Sequence, residues 1–544
     1  MRILMIHPHN IHSPVWPYTK RIKSLAIVIL LGTFLFFHFL NNLIWLRIDR
    51  NPIGVDTVWH LIEAAKFQLL YRKIIHSDHS FFEKIKMIFF IFRVWQTDNC
   101  WPPFIYFLSS LINPNHFYLY RVRLYINFLF YLLITISTYF LGKRCFNRRV
   151  GLIASFLVSF YPSIYGFSRQ LELDYSLIGL AALCLCLLLY SKNFSKRIYS
   201  LLFGLSLGIA TLVKLQILFF LSAPLLYSVF KIFNKQTKEK HKLFLNLILS
   251  LLLTFFLFSL YWASKLHNTF LNFYGHAFSL YPFFKGQIFP ILGEQKLPIL
   301  SIKNFIFYFI HLLNHTSLLL FVLFIFALIQ FLRKEKFWRG FFLLSLCVPY
   351  LIFTFISVKW ARYILPLLPI AALISAWLID SLRNKYLKRI LLSVLAIYCI
   401  GFYFLTSWYV NFWSSFTFRY LFPFSFYIME EWPFSHPPNP NGYIGKFEKE
   451  EILPYIQNRL KNEEPIKIEF TEDTAEIALS LYLFFQDYIL NNKINIQQNH
   501  KLNFEDANYI IIMNIENLPS KNKLLKCYKI LSELNKKIIF LEKR

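Results

Sequence analysis

Residues 25–46 read LAIVILLGTFLFFHFLNNLIWL, an apolar run without a single Asp, Glu, Lys or Arg. A helix of about 20 such residues is long enough to cross the hydrocarbon core of a bilayer, and it satisfies its backbone N–H and C=O groups internally. Lys20, Arg21 and Lys23 precede the run, and no small-residue cleavage site follows it. The pattern therefore predicts an uncleaved signal anchor with a cytoplasmic N-terminus.

Further apolar runs recur along the first three quarters of the 544-residue chain, of which 56% is hydrophobic. We predict about eleven spanning helices, that is, an all-α polytopic membrane domain. Even-numbered spans end at clusters of basic residues, which the positive-inside rule places in the cytoplasm. After the anchor, the predicted spans are 118–141, 150–166, 174–190, a fifth ending near Lys214, a sixth ending before Lys231, 243–262, 305–331, 340–357, 362–381 and 390–410.

The net charge of +29 does not indicate a nucleic-acid partner, because the basic residues lie in short clusters between apolar runs and form no stripe. The seven cysteines fall mostly inside apolar runs and contain no CxxC pair, which argues against a disulfide framework or a zinc knuckle. No Walker A, GxGxxG, HExxH or GxSxG motif is present. The sequence therefore gives no sign of a cytosolic nucleotide donor, a metalloprotease or a serine hydrolase.

Two parts outside the predicted spans have structure of their own. In the first outer segment, Val58–Ile75 and Phe81–Trp95 have apolar residues at helical spacing and predict amphipathic helices in the outer interface. A Pro-rich linker near residue 440 separates the membrane part from a tail in which predicted strands and helices alternate, which is typical of a small α/β domain. The predicted domains are a membrane domain over 1–410, a linker over 411–445 and an extracytoplasmic α/β domain over 446–544.

Within that tail, three strands alternate with three helices. The predicted strands are Ile466–Phe470, Tyr509–Met513 and Ile538–Leu541, and the predicted helices cover 448–462, 474–489 and 521–534.

Charged residues at the outer rim of the membrane are the candidates for chemistry, since burying them is costly. Asp56 is the first acid after the anchor, and its carboxylate can take a proton from a hydroxyl nucleophile. The alternative is that Asp56 caps the helix that follows. His60 lies one turn further on and could share a proton or a metal with Asp56, or could simply face water.

Residues 168–174, SRQLELD, place Arg169, Glu172 and Asp174 between the third and fourth spans. Asp174 could join Asp56 to give two carboxylates at one site, with Glu172 in support. The alternative is an ion pair between Arg169 and Asp174 within the loop.

Lys214 and Arg362 lie at the outer ends of predicted spans, and Tyr363 follows the arginine. Cations there can bind a phosphate, and arginine does so with two parallel hydrogen bonds. The alternative is that both side chains extend to lipid headgroups. Gly204 and Gly208 form a GxxxG pair, which predicts a close helix contact.

The order and placement of these segments resemble the GT-C superfamily of membrane glycosyltransferases, in particular bacterial protein-O-mannosyltransferase and ArnT-like (PMT-type) members. The resemblance covers most of residues 20–410. It is carried by Asp56, by the proline pair 102–103 and by the segments 168–174, 204–214 and 362–369.

This resemblance implies a polyprenyl-phosphate-linked sugar as donor, a lipid, glycan or protein acceptor, and a bacterial cytoplasmic membrane. It also implies that Asp56 and Asp174 are catalytic, and that Lys214, Arg362 and Arg169 meet the donor phosphate. The expected reaction is an inverting sugar transfer to an acceptor hydroxyl at the outer face.

The sequence departs from the family pattern at two places. Thr57 and Trp101 stand where the family often has a glutamate and a cation. The resemblance therefore implies no certain cofactor, and a requirement for a divalent metal ion is left as an open alternative. The competing functions are an O-antigen-type polymerase or ligase, whose chemistry would lie in the loop 263–304, a transporter or flippase, and an inactive scaffold.

Overall fold

The structure is a computed structural model. It describes residues 17–49, 55–95, 101–112, 118–233, 240–263, 302–356 and 360–409, together with residues 265 and 438 and the strands named below. Its helices are α1 Pro17–Ile48, α2 Val55–Ile75, α3 Phe81–Val94, α4 Phe104–Ser110, α5 Tyr118–Cys145, α6 Arg148–Ser159, α7 Pro162–Phe167, α8 Leu173–Tyr190, α9 Arg197–Thr211, α10 Ile217–Phe233, α11 Lys240–Trp262, α12 Ile302–Thr316, α13 Leu318–Lys334, α14 Arg339–Phe355, α15 Leu368–Ser381 and α16 Lys385–Phe404. A 3-10 turn, Ala361–Leu367, leads into α15, and a π turn, Leu405–Tyr409, follows α16.

The described helices make this a multi-pass membrane protein. Six of them are long and apolar enough to span a bilayer, and a seventh span is possible if α12 and α13, which are bent by 120° at their junction, cross together. The predicted number of eleven is therefore not confirmed. The shortfall has a physical reason. Helices α9, α10 and α14 are apolar but have only 15, 17 and 17 residues, and the predicted span 150–166 is divided into α6 and α7, which have 12 and 6 residues. At 1.5 Å per residue, they are shorter than the roughly 30 Å hydrocarbon core.

The predicted alternation of the spans agrees with which helix ends meet. At the predicted inner end, the Asn147 side-chain amide donates to the Asp380 carboxylate at 2.7 Å. At the predicted outer end, the Trp45 indole N–H donates to the Ser407 carbonyl at 3.1 Å. Loops assigned to one side therefore lie together, although the direction of the chain relative to the cytoplasm stays a prediction.

The two helices predicted in the first outer segment are both present, but they differ in burial. Helix α3 begins with a capping box between Ser80 and Glu83 and exposes Phe81 and Phe82, as expected of an interfacial helix. Helix α2 is enclosed instead: nearly all its side chains between Thr57 and Leu69 are buried. It packs against α3 and α4, so its apolar face belongs to the protein core.

Helices α9 and α11 cross at the predicted GxxxG pair. A Cβ atom built on Gly208 would lie 2.8 Å from the Leu257 Cβ, and one on Gly204 would collide with the Ser250 carbonyl oxygen. The Thr254 hydroxyl donates to the Gly204 carbonyl at 2.9 Å across this contact. The predicted close packing is confirmed, and it holds the end of α9 that carries the functional segment described below.

Strands lie outside the helical part. β1 Phe289–Ile291 and β2 Gln295–Leu297 form an antiparallel pair, and β3 Ile466–Phe470, β4 Ile494–Gln498, β5 Tyr509–Met513, β6 Tyr528–Leu534 and β7 Ile538–Lys543 form a sheet of order β4-β3-β5-β7-β6. β3 pairs in parallel with β4 and β5, whereas β5–β7 and β7–β6 are antiparallel. The three predicted strands of the tail are confirmed.

The α/β character of the tail stays a prediction, because the predicted helices 448–462 and 474–489 lie outside the described residues. The helix predicted over 521–534 is wrong in its second half. Residues 528–534 form β6 and pair with β7, since cross-strand pairing outweighs their local helical preference.

Candidate active site

Asp174 stands at the centre of an ion-pair cluster at the predicted outer end of the helices. The Lys214 ammonium donates to both of its carboxylate oxygens, at 2.7 and 2.8 Å. The Arg362 Nε lies 3.2 Å from Asp174 Oδ2. The structure thus brings together three of the predicted site residues, which come from α8, the turn between α9 and α10, and the turn before α15.

Glu172 is the second acid of the cluster. Its Oε2 lies 3.5 Å from Arg362 Nη1, and its Oε1 accepts a hydrogen bond from the Thr57 hydroxyl at 3.0 Å. Arg362 therefore bridges two carboxylates, and Thr57 brings the first turn of α2 to the same cluster.

The burial of the four charged side chains is uneven. Asp174 and Glu172 are 3% and 6% exposed, whereas Lys214 and Arg362 are 22% and 15% exposed. The two acids are therefore further from solvent than the two cations, so the solvent-accessible face of the cluster is positive. An approaching anion would meet Lys214 and Arg362 first, and both side chains are already oriented by the acids behind them.

Lys214 lies in a non-helical turn between α9 and α10, and neighbouring segments hold this turn. The last carbonyls of a helix have no partner inside the helix. Here the Thr211 carbonyl accepts from the Trp262 indole at 2.8 Å, and the Leu212 carbonyl accepts from the Phe104 backbone N–H at 3.3 Å. The first outer segment and the end of α11 therefore both fix the position of the Lys214 backbone.

Aromatic rings flank the two cations. The Lys214 ammonium lies 5.1 Å from the centre of the Tyr363 ring, and the Arg362 guanidinium lies 4.6 Å from the centre of the Trp360 ring. Such contacts stabilise a cation that is partly removed from water. Tyr363, predicted as a supporting residue, therefore does contact the site, through its ring.

His60 is buried, one turn of α2 beyond Thr57. Its Nδ1 lies 2.9 Å from the Tyr106 hydroxyl, and its ring is 4.4 Å from that of Trp101. Burial raises the pKa of Tyr106 well above its ordinary value, so the hydroxyl keeps its proton and can donate it to Nδ1. His60 thus connects α2 to α4, and the predicted alternative of a rim histidine facing water is wrong.

Arg169 lies apart from the cluster. Its Nε and Nη2 donate to Asn42 and Ser407 at 3.1 and 2.8 Å, and its guanidinium lies 4.7 Å from the centre of the Trp45 ring. It forms no ion pair with Asp174, so that alternative is wrong. The side chain therefore ties the loop before α8 to α1 and to the π turn.

Asp56 lies in the first turn of α2, which begins at Val55, but its side chain is outside the described residues. The position of its backbone is informative, because Thr57, the next residue, bonds to Glu172. Asp56 is therefore close along the chain to the ion-pair cluster, while a direct meeting of its carboxylate with Asp174 stays a prediction.

The described side chains do not fit a metal site. Among them, no group of three or more His, Cys, Asp and Glu residues could hold a metal ion. Asp174 and Glu172 already face Lys214 and Arg362. A metal requirement therefore stays an untested prediction, and no step is derived through a metal.

Sequence reasoning missed two contributors to this region. Thr57 was noted only as a departure from the family pattern, yet it binds Glu172 directly. His315 lies in an apolar run and gave no signal, although its Nε2 lies 2.8 Å from the carbonyl oxygen of Ala361, the residue before Arg362. In both cases the contact joins residues far apart in sequence, which a local pattern does not reveal.

Comparison with known families gives one partial match. Residues 100–262 match the sequence model of a family described as dolichyl-phosphate-mannose-protein mannosyltransferase. That range contains the proline pair, the acid-bearing loop and Lys214. No curated protein sequence matches the chain.

Comparison with solved structures gives a match over nearly the whole length. ArnT from Cupriavidus metallidurans bound to undecaprenyl phosphate superposes with a TM-score of 0.59 at 12% identity, covering 95% of this chain and 98% of ArnT. The apo form of the same protein gives 0.57 at 13% identity, covering 96% and 98%. An archaeal oligosaccharyltransferase, AglB from Archaeoglobus fulgidus, matches less well, with a TM-score of 0.48 at 12% identity over 91% of this chain and 70% of AglB.

Proposed function

This chain has the GT-C fold of the ArnT type, and from that premise we propose that it is an inverting membrane glycosyltransferase. The donor is a sugar linked to a polyprenyl phosphate, the acceptor is a hydroxyl group, and the reaction takes place at the outer face of the cytoplasmic membrane. The expected resemblance to GT-C transferases agrees with the family match over residues 100–262 and with the ArnT fold.

One observation carries the proposal: Lys214 and Arg362 converge on Asp174 with their accessible sides outward. Two cations at one point of a membrane protein suit a phosphate that is attached to a lipid, because the tail can stay in the bilayer while the phosphate meets the protein. ArnT, which shares the fold, has been solved with undecaprenyl phosphate.

In the proposed reaction, Asp56 removes the proton from the acceptor hydroxyl. The acceptor oxygen forms a bond to the anomeric carbon of the sugar, and the bond from that carbon to the phosphate oxygen breaks on the opposite face. The leaving group is a polyprenyl phosphate, on which negative charge grows in the transition state. Lys214 and Arg362 stabilise that charge, which is the kind of preorganised electrostatic contribution that enzymes use most.

Asp174 and Glu172 act in this proposal by orienting the cations. Both acids are too buried to reach a substrate without displacing Lys214 or Arg362. Arg169 is left out of the phosphate contact, because its Nε and Nη2 are bonded to Asn42 and Ser407. The proposal therefore narrows the predicted phosphate contacts from three cations to two.

The test is to incubate the purified full-length chain with a panel of polyprenyl-phosphate sugars and to measure released polyprenyl phosphate. We expect release with at least one donor, and we expect Asp56→Asn to abolish it without lowering expression. The matched control is Asp78→Asn, since Asp78 lies in the same outer segment and is exposed to solvent. Retained activity in Asp56→Asn would remove Asp56 from the mechanism.

The alternatives gain no support from a described feature. The loop 263–304, which would carry the chemistry of an O-antigen-type polymerase, lies mostly outside the described residues. A transporter or flippase would move the lipid-linked sugar between leaflets of a vesicle without releasing polyprenyl phosphate, so the same assay separates transport from transfer.

A further inference from the structure

A buried histidine joins the two sides of the candidate site. His315 Nδ1 lies 2.6 Å from the Ser163 hydroxyl of α7, and its Nε2 lies 2.8 Å from the Ala361 carbonyl oxygen. The side chain is completely buried. One imidazole thus bridges two segments that are far apart in sequence.

The bonding partners fix the proton on this ring. A carbonyl oxygen can only accept, so Nε2 must carry the hydrogen that it donates to Ala361. In a neutral imidazole, Nδ1 is then the acceptor and the Ser163 hydroxyl is the donor. Both ring nitrogens are used, and the ring can neither rotate nor flip without losing both bonds.

The two anchored segments lead directly to the ion-pair cluster. Ala361 opens the 3-10 turn and immediately precedes Arg362. Ser163 lies in α7, which ends just before the loop that carries Glu172 and leads to Asp174 in the first turn of α8. The imidazole therefore sets the spacing between the backbone that presents the guanidinium and the backbone that presents the acids.

The helix that carries His315, α12, is followed by an unusual backbone turn. Ser317, the residue between α12 and α13, has φ 74° and ψ 157°, a region that residues with a side chain rarely adopt, and the helix axis bends there by 120°. The Tyr398 hydroxyl donates to the Ser317 hydroxyl oxygen at 3.0 Å. Such backbone strain persists only where the surroundings enforce it, and it often accompanies functional sites. Here the bend ends α12 with His315 against Ala361.

We propose that His315 is a positioning residue for Arg362: through the Ala361 carbonyl it sets the direction in which the guanidinium meets the donor phosphate. The inference rests on the proposed function. The simpler reading is that His315 is a hydrogen-bonded core residue that contributes only to stability.

Two conservative variants separate these readings. In His315→Gln the side-chain amide nitrogen reaches about as far as Nε2, so the bond to Ala361 survives and the one to Ser163 is lost. In His315→Asn the shorter side chain reaches about as far as Nδ1, so the bond to Ser163 survives and the one to Ala361 is lost. Each variant loses one hydrogen bond, but only His315→Asn releases the backbone before Arg362.

The experiment measures binding of undecaprenyl phosphate and of undecaprenol to the purified full-length chain in detergent. The ratio of the two affinities isolates the contribution of the phosphate. We expect His315→Gln to keep the wild-type ratio within about threefold, and His315→Asn to lower it about tenfold, as for one misaligned charge-assisted hydrogen bond. Undecaprenol affinity should change little in either variant.

Arg362→Gln is the reference for a lost phosphate contact. If it lowers the ratio while His315→Asn and His315→Gln behave alike, His315 is only structural and the inference is overturned. If Arg362→Gln leaves the ratio unchanged, the phosphate contact itself is wrong, and the proposed function fails along with the inference. The two failures are therefore distinguishable.

Discussion

Asp174→Asn is the substitution that tests the ion-pair cluster most directly. The change keeps the shape of the side chain but removes its charge and replaces one of the two oxygens that accept from Lys214 with an NH2 donor. In the native protein that charge lies 2.7 Å from the Lys214 ammonium and 3.2 Å from the Arg362 Nε. In the variant, the two cations remain close together with only Glu172 to balance them.

The size of the effect follows from these distances. At an effective dielectric constant of about 20, unit charges separated by 2.7 Å attract by about 6 kcal/mol, and the cost of desolvation offsets much of this. Removing one partner of a buried ion pair typically lowers stability by about 3–5 kcal/mol. Because Lys214 is 22% exposed and water screens part of its charge, we expect the lower value, about 3 kcal/mol.

The assay is the free energy of unfolding of the full-length chain in mixed detergent and SDS micelles, followed by tryptophan fluorescence. The matched control is Glu63→Gln, which removes an equally short ion pair, at 2.8 Å to Lys66, whose side chain is 41% exposed. We expect the control to cost less than about 1 kcal/mol. A second substitution, Lys214→Met, should recover part of the loss in Asp174→Asn, because it removes one of the two unbalanced cations. Equal losses in Asp174→Asn and the control, or no recovery in the double variant, would refute this account of the cluster.

Three further outcomes are expected from local geometry. Ser317→Gly should be more stable than Ser317→Ala by about 1 kcal/mol in the same unfolding assay, since both lack the hydroxyl and only glycine adopts φ 74° without strain; equal stabilities would contradict the strained turn. Gly208→Ala should destabilise the contact between α9 and α11 by about 1–3 kcal/mol, and adding Leu257→Ala should recover only part of it, because the Leu257 Cγ and Cδ1 are removed while its Cβ, 2.8 Å from the new Cβ, remains. Hydrogen bonds from Ser80 lower the pKa of Glu83 below 4.5, so its cap stabilises α3 above that pH and is lost as the pH falls through the lower, folded value. The protection factors for amide hydrogen exchange along α3, taken relative to the intrinsic exchange rate at each pH, should therefore fall in acid, and Glu83→Gln should remove most of this pH dependence.

The sequence is most informative about long apolar helices with charged residues only near their ends. The predicted span 174–190 matches α8, Leu173–Tyr190, and the predicted span 362–381 matches the turn and helix 361–381. These boundaries are readable because the change from charged to apolar residues is abrupt. The predicted span 305–331 breaks at Ser317 instead. A serine within an apolar run is no recognised helix breaker, and the bend depends on packing against Tyr398 and its neighbours.

The sequence predicts which residues form the candidate site, but it predicts only some of the contacts between them. Asp174, Lys214 and Arg362 were placed at one face of the membrane by topology alone, and the structure brings them into contact. Arg169 was grouped with them because it is near Asp174 in sequence. Its partners Asn42 and Ser407 are 127 and 238 positions away, a distance over which single-sequence patterns carry no information.

The tail illustrates a different limit. The sequence pattern predicts a helix over residues 528–534, yet they pair with β7 as a strand. Local preference was overridden there by the neighbouring strand, as is common at the edges of sheets.

The uneven burial of the charged cluster has a consequence for how selective the protein can be. Without a ligand, Lys214 and Arg362 are each already paired with a carboxylate. A small soluble anion would therefore gain little binding free energy by replacing those carboxylates. A ligand with a long hydrocarbon tail also gains free energy because the tail lies in the bilayer. That gain can offset the cost of replacing the carboxylates. The two buried acids would thus compete with a phosphate for Lys214 and Arg362. This competition would disfavour the binding of inorganic phosphate, and it would favour the release of polyprenyl phosphate after the sugar has been transferred.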